Sequence, residues 1–231
     1  MTNQSSRWLA VLSALFGVLA NVAANADCDD SPKPKVDWTK CTKMRLVLRN
    51  NDLSGAILQR TNLSSTDLAG AKLQDAMLVE AIIDRARLQE VDLTGSDLTK
   101  IQGSRADFQK ANLAGVTFAK SELLRADFSQ ANLEDANLSK SELGRAVFAA
   151  AKLNGANLSY SNLARADFSD AHLENADFTR AYTFLTRIEG ADLSKTIGLS
   201  QEQLDLACGD GDTQLPEGLE RPASWPCGHS D

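Results

Sequence analysis

The chain has 231 residues, 43% of them hydrophobic and 6% aromatic, with 24 basic against 31 acidic side chains and a formal charge of −7. That balance argues against general binding to nucleic acid, which needs a basic surface. Only two histidines are present, His172 and His229, and neither has a nucleophile and an orienting acid at a recognisable spacing.

In chain order, residues 1–26 are predicted to be a secretory signal peptide. Arg7 supplies a short positive n-region, Trp8 to Ala20 an apolar run too short to span a membrane, and Ala24-Asn25-Ala26 a small-residue cleavage site. An uncleaved anchor is the alternative. A lipoprotein fits less well, because Asp27 stands before Cys28 where a small residue is needed. Removing the leader takes away Arg7 and no acid, so the mature chain is more acidic by one charge. A periplasmic or secreted protein is expected, with no span left in the membrane.

Residues 27–45, with Pro32, Pro34 and Trp38, are expected to cap the N-terminal end of a repeat region. The four cysteines support export. Cys28 and Cys41 precede the repeat and Cys208 and Cys227 come after it, which suggests one staple at each end. Cys28–Cys41 with Cys208–Cys227 is the local choice among three connectivities. A metal site is the competing reading, and the gaps lack CxxC spacing.

Residues 46–198 carry a five-residue period that never slips. Of the 30 positions reached by stepping in fives from Leu48 to Leu193, all but Gly103 and Thr183 are Leu, Ile or Phe. Two residues ahead sits a small or β-branched residue, as at Ala56, Thr66, Ala71 and Ala176. Every fifth residue drifts about 140° around an α-helix and makes no apolar face. In extended backbone, residues two apart point the same way. Each unit therefore reads as three extended residues and a two-residue corner. Four corners close a square coil of 20 residues, and residues 106–125, 126–145 and 146–165 are indeed similar to one another at that longer period.

The pattern A(D/N)LxxA(D/N)F, as in Ala106-Asp107-Phe108 and Ala131-Asn132-Leu133, resembles the pentapeptide-repeat proteins over roughly residues 46–200. The resemblance implies an all-β solenoid, a right-handed quadrilateral β-helix. Seven to eight coils about 4.8 Å apart would make a rod of roughly 35–40 Å.

Positions 20 apart share a column. Phe108, Phe128, Phe148 and Phe168 are expected to form a core ladder of rings about 5 Å apart. Gly103 breaks a Leu column while Ile101 puts a large side chain where Ala is the rule, a complementary repacking that avoids a cavity. At the second break, Thr183, the outward Phe184 and Leu185 require a bulge or, preferably, a covering cap.

The corners form columns too. Arg85, Arg105, Arg125, Arg145 and Arg165 make a ladder along one edge, and Lys100, Lys120 and Lys140 lie in the neighbouring column, a basic flank opposite a more acidic side. Two readings stand. Asp107, Asp127, Asp167, Glu122 and Glu142 lie within three residues of ladder arginines and would turn the edge into solvated ion pairs of small worth. Alternatively the ladder is a docking stripe for an anionic partner, since the guanidinium fork suits phosphate, carboxylate or sulfate.

In residues 199–231, Ser200-Gln201-Glu202-Gln203 is a capping-box signature for a short helix ending by Gly209, with an irregular tail beyond it containing Pro216, Pro222, Trp225 and Pro226. This tail resembles the ending of a group of exported bacterial pentapeptide-repeat proteins.

No glycine-rich phosphate loop, HExxH or acidic calcium loop is present, and the many Asp and Asn recur with the repeat. No catalytic, metal or cofactor site and no small-molecule substrate is expected. The leading reading is a non-catalytic exported interaction scaffold whose partner is another protein or an anionic envelope component. The alternative is an envelope or anionic-surface binder acting through the basic flank. Cytoplasmic relatives that mimic DNA and protect gyrase suggest a third, from which this chain departs in its leader, its mixed charge and its short tail.

Overall fold

A computed structural model describes residues 26–227. The predicted leader, apart from Ala26, and His229 lie outside the described residues.

The unit Ala126–Gln130 shows why a pentapeptide folds this way, because all five of its N–H groups find acceptors. Ala126 closes the preceding corner by donating to Leu123 O (3.1 Å), and Asp127 donates down to Ala106 O (3.0 Å). Phe128 and Gln130 donate up to Val147 O (2.7 Å) and Ala149 O (3.0 Å). The remaining N–H, of Ser129, donates to Asp127 Oδ1 (2.9 Å). Where Asp or Asn holds this slot, its side-chain oxygen commonly closes an Asx turn over its own corner, as at Asp97, Asn137 and Asp177, which is why that residue type recurs.

Repetition turns the unit into a rod. Asp37 pairs in parallel with Ile57, Thr42 with Asn62, Val47 with Asp67 and Asp52 with Lys72, and all four columns continue at 20-residue spacing up to Ile197, Tyr182, Arg187 and Asp192. These columns define the first, second, third and fourth sides of a four-sided β-solenoid. Eight coils about 4.8 Å apart give a rod of roughly 40 Å.

The second corner residue has a left-handed φ at every fifth position from Lys35 (58°) to Gly190 (68°), including all five ladder arginines. The residue before it does not, the signature of a type II turn, which favours Gly or Asn at that place. Most of these positions here are occupied by longer side chains.

Inside, the large and small residues fill the square. Phe108, Phe128, Phe148 and Phe168 stack on the third side with centroids 4.9, 4.9 and 4.6 Å apart, and Phe118 on the first side meets Phe108 and Phe128 edge-on. Ile101 is fully buried. A Cβ added at Gly103 would stand 3.0 Å from Leu123 Cδ2 and 3.1 Å from Ile83 Cγ1, so the neighbouring coils also close that gap. Buried hydroxyls in the small-residue slots are satisfied by carbonyls of the preceding coil, as Ser121 donates to Leu98 O and Ser141 to Phe118 O.

The rod starts earlier than the boundary drawn at residue 46. Corners and rungs begin at Lys35 and Asp37. Trp38 is fully buried in a large-residue slot of the first coil, and Cys41 in a small one. Cys41 is therefore inside the repeat, not before it, and its bond to Cys28 (Cα atoms 5.4 Å apart) ties residues 26–34 to this coil. Lys43 takes the next large slot, with Nζ 4.1 Å from the Trp38 ring centroid and donating to Cys28 O (2.6 Å).

At the other end, α1 (Gln201–Leu206) carries a complete capping box between Ser200 and Gln203 and ends at Ala207, two residues before Gly209. Gln203 Nε2 donates to the carbonyls of Phe178 (2.9 Å) and Ala181 (2.8 Å). Thr183 replaces Leu because its hydroxyl donates to Gln203 O (2.8 Å). The break at Thr183 is met by the cap in part and by no bulge: the register stays at 20 residues through Tyr182 and Arg187, Leu185 is half-buried and its N–H donates to Leu206 O (2.7 Å), and Phe184 remains exposed. Cys208 and Gln214 add two last rungs, and the Cys208–Cys227 bond holds the tail (Cα atoms 5.4 Å apart). Trp225 donates to Ala207 O (2.7 Å) and lies so close to Gly209 that a Cβ there would clash with its ring. Among the described residues no helix is long and apolar enough to cross a membrane.

Candidate anion-binding groove

The corner between the second and third sides holds residues 84–85, 104–105, 124–125, 144–145 and 164–165, one pair per coil. Its second residues are Arg85, Arg105, Arg125, Arg145 and Arg165, all exposed. Arg105, Arg125, Arg145 and Arg165 line one shallow groove of about 560 Å³, floored by Ser104, Leu124, Gly144 and Ala164. The floor is low because these first corner residues are small except Leu124.

The expected neutralisation of this ladder does not occur. Among the described residues, none of the five arginines has an ion pair, whereas Arg49, Arg60, Arg87 and Arg187 all do. The acids within three residues of the ladder make no ion pair with it, and all but Glu122 are engaged by other groups; Asp84, in the same corner beside Arg85, accepts from Ser104 N–H (2.8 Å). Asp107, Asp127 and Asp167 lie round the corner on the third side. Asp107 accepts from Gln89, Asp127 from Gln109 (2.6 Å) and Ser129, and Asp167 from Ser169 and Arg187. Glu142 accepts from Asn162 (2.8 Å) in the middle of the second side. Glu122 occupies the same column one coil earlier, and it too is beyond ion-pair distance of the ladder.

These glutamates have a second consequence. A glutamate carboxylate is one methylene too far out to close the Asx turn. The N–H groups of Leu124 and Gly144, two residues after Glu122 and Glu142, have no protein acceptor among the described residues. The groove floor therefore offers backbone donors beside the guanidinium groups. Sequence reasoning missed them; the Glu-for-Asp change at that slot was the available signal.

The lysines do not join the arginines. Lys100, Lys120 and Lys140 run along the opposite edge of the second side. Lys100 pairs with Glu80 (3.7 Å), which also accepts from Arg60 (2.7 Å). The Arg60 hydrogen bond and charge, with a smaller part from Lys100, hold the Glu80 carboxyl below its ordinary pKa. Lys140 and Arg180 flank the Tyr160 ring, 5.9 and 5.6 Å from its centroid. In that corner Lys100 and Lys140 have partners within the protein, whereas Lys120, like the ladder arginines, has no ion pair among the described residues. His172 is exposed on the fourth side, away from the groove.

The ladder is not a requirement of folding. Arg125 sits at φ 59°, where a Cβ is disfavoured by about 1–2 kcal/mol and glycine's extra chain entropy offsets much of the relief. Arg125→Gly is therefore expected to leave stability within about 1 kcal/mol of the parent in urea unfolding. A larger loss would show that the guanidinium holds the rod together.

The repeat is matched by two family descriptions, "Pentapeptide repeats (8 copies)" over residues 48–85 and 81–123 and "Pentapeptide repeat region" over residues 121–196. The chain belongs to the pentapeptide-repeat family. Similar solved structures in this family include HetL of the cyanobacterium Nostoc sp. strain PCC 7120, involved in heterocyst differentiation regulation. HetL is 23% identical, over 80% of this chain and 91% of that one, with a TM-score of 0.46. Trypsin-treated QnrB1, a plasmid-mediated fluoroquinolone resistance protein, is 21% identical over 75% of this chain and 85% of its own, with a TM-score of 0.47. Rfr23 of the cyanobacterium Cyanothece 51142 is 18% identical over 78% and 90%, with a TM-score of 0.32. No curated protein matches the chain significantly. A pentapeptide-repeat rod of this kind is consistent with a non-catalytic scaffold.

Proposed function

We propose that this pentapeptide-repeat protein is an exported, non-catalytic scaffold that docks an anionic partner along the arginine groove. The observation that carries the reading is the set of four groove arginines with no ion pair, spaced one per coil on a rigid rod. Like charges about 5 Å apart repel and gain nothing from one another, so an unneutralised row is best used by a ligand that brings the counter-charge. The leader pattern and the two disulfides support an oxidising compartment outside the cytoplasm. A DNA mimic would present acids where these arginines stand.

The test is in-cell crosslinking and mass spectrometry, comparing the parent with an Arg105→Glu, Arg125→Glu, Arg145→Glu variant whose circular dichroism shows it folded. An envelope partner captured by the parent and lost by the variant is the expected result. Identical captures from both would refute the groove as the docking surface.

A further inference from the structure

The groove ends at Ala164 and Arg165, but the column continues. In the same column one coil later stands Phe184, and Tyr182 succeeds Asn162 in the rung beside it. The register therefore brings both aromatic rings to the end of the arginine track. Phe184 and Tyr182 are 41% and 51% exposed, with ring centroids 6.3 Å apart and planes inclined by 12°. Nothing in the core explains them. They replace the Asp or Asn and the small or polar corner residue of a normal unit, and the C-terminal segment leaves them open.

We propose, building on the reading of the groove as an anion-docking surface, that the occupant is a linear acidic polysaccharide bearing one carboxylate per sugar ring. The carboxylates on one face of the chain would meet alternate arginines, and one ring would pack against Tyr182 and Phe184. Three features favour this chemistry. First, the arginines recur at the coil spacing of about 4.8 Å, and in an extended sugar chain whose rings alternate, same-face carboxylates recur every second ring, roughly the span of two coils, about 9.6 Å. An acidic peptide in extended form repeats same-face side chains every ~6.6–6.8 Å and loses register by the third coil. Second, the floor of Leu124, Gly144 and Ala164 is apolar and shallow, suited to the C–H faces of sugar rings, while the Leu124 and Gly144 N–H groups supply donors to ring oxygens or carboxylates. Third, the exposed, parallel rings of Tyr182 and Phe184 put apolar carbon at the end of the track, where a sugar ring can bind by C–H contact. Single-stranded nucleic acid would instead require aromatic platforms at successive bases.

The net negative charge of the chain does not oppose this. Screening at physiological salt limits an exposed charge to about 8 Å, so the local row decides. Glu122 and Glu142 in the middle of the second side repel an anion and confine it to the arginine corner.

The test measures binding of the purified protein to size-graded oligogalacturonides by calorimetry, with poly-L-glutamate and a single-stranded oligothymidylate of equal charge as rival ligands. Affinity is expected to rise with uronate length until the five ladder arginines are covered and then level off. Arg125→Gln should weaken uronate binding roughly tenfold. Tyr182→Ala with Phe184→Ala should weaken it roughly fivefold and leave poly-L-glutamate binding unchanged. If poly-L-glutamate or the oligothymidylate binds at least as tightly as the uronates, or the aromatic variant alters nothing, the polysaccharide is overturned while the anionic groove stands. If Arg125→Gln affects no ligand, or no polyanion binds, both readings fall.

Discussion

Phe128→Ala is expected to cost the rod about 3–5 kcal/mol, the largest loss from any single core truncation. Phe128 is fully buried, stacked on Phe108 and Phe148 at 4.9 Å each and met edge-on by Phe118 at 5.8 Å. Truncation removes the transfer free energy of the ring, leaves a cavity between two rigid coils and breaks three aromatic contacts of about 0.5–1.5 kcal/mol each. The neighbouring coils cannot collapse inward, because their spacing is fixed by the backbone rungs at Asp107, Asp127 and Val147. Each coil touches only its neighbours, so a weakened coil uncouples the halves of a solenoid. Urea unfolding monitored by circular dichroism should broaden or split into two steps. Hydrogen exchange should speed first in residues 126–130 and the coils either side. Leu133→Ala, in the same coil but without ring contacts, is the comparison and should cost less. An equal loss for the two, or a loss below ~1 kcal/mol for Phe128→Ala, would show that the stacked geometry contributes little.

The fold was legible because burial in this rod obeys a strict local rule. From Leu48 to Leu193 the inward slots are apolar or small, and a single period fixes faces, corners and columns together. Legibility failed where one residue serves two purposes. Lys43 occupies a large inward slot but reaches out to Cys28, so the apolar period starts half a coil late and leaves Trp38 and Cys41 on the cap side of the boundary. The left-handed corners were announced only at scattered places such as Gly55, Gly70 and Gly155, because Arg, Lys, Asp and Glu stand at most of the positions where glycine would mark the turn. For the groove, the column of arginines was readable from the 20-residue repeat. Its lack of neutralisation was not, since proximity in sequence says little across a corner. Asp127 lies two residues from Arg125 yet on a different side, and its carboxylate is held by Ser129 and Gln109. The separation of the lysines from the groove and the open N–H groups of Leu124 and Gly144 likewise depend on which way each corner turns.

Gln203→Leu is expected to destabilise the C-terminal end by about 3 kcal/mol or more, far beyond the loss of one helix cap. Gln203 is only 9% exposed and spends its whole amide on the protein. Its Nε2 donates to the carbonyls of Phe178 and Ala181, and its Oε1 accepts from Ser200 N–H (2.9 Å). Leucine matches the volume but leaves the Ala181 carbonyl and the Ser200 N–H without partners, at about 1–3 kcal/mol for each buried group, and leaves the Phe178 carbonyl with only its turn bond from Ala181 N–H (3.0 Å). Ser200→Ala removes only the other half of the capping box and should cost about 1 kcal/mol. The readout is hydrogen exchange of the last regular coil, residues 176–195, together with the elution volume of the protein. With Gln203 gone, α1 loses its hold on this coil and the carbonyl edge at Phe178 opens. An unpaired strand edge recruits other chains, so the variant should also self-associate as its concentration rises. A Gln203→Leu protein that stays monomeric and exchanges like the parent would mean that the Cys208–Cys227 bond and the rungs at Cys208 and Gln214 close the rod alone. The same variant in a protein lacking that disulfide would separate the two contributions. If the polar plug and the covalent staple protect the same coil, their combined loss should exceed the sum of the single effects, because either one alone still holds the segment against the coil when the other is gone.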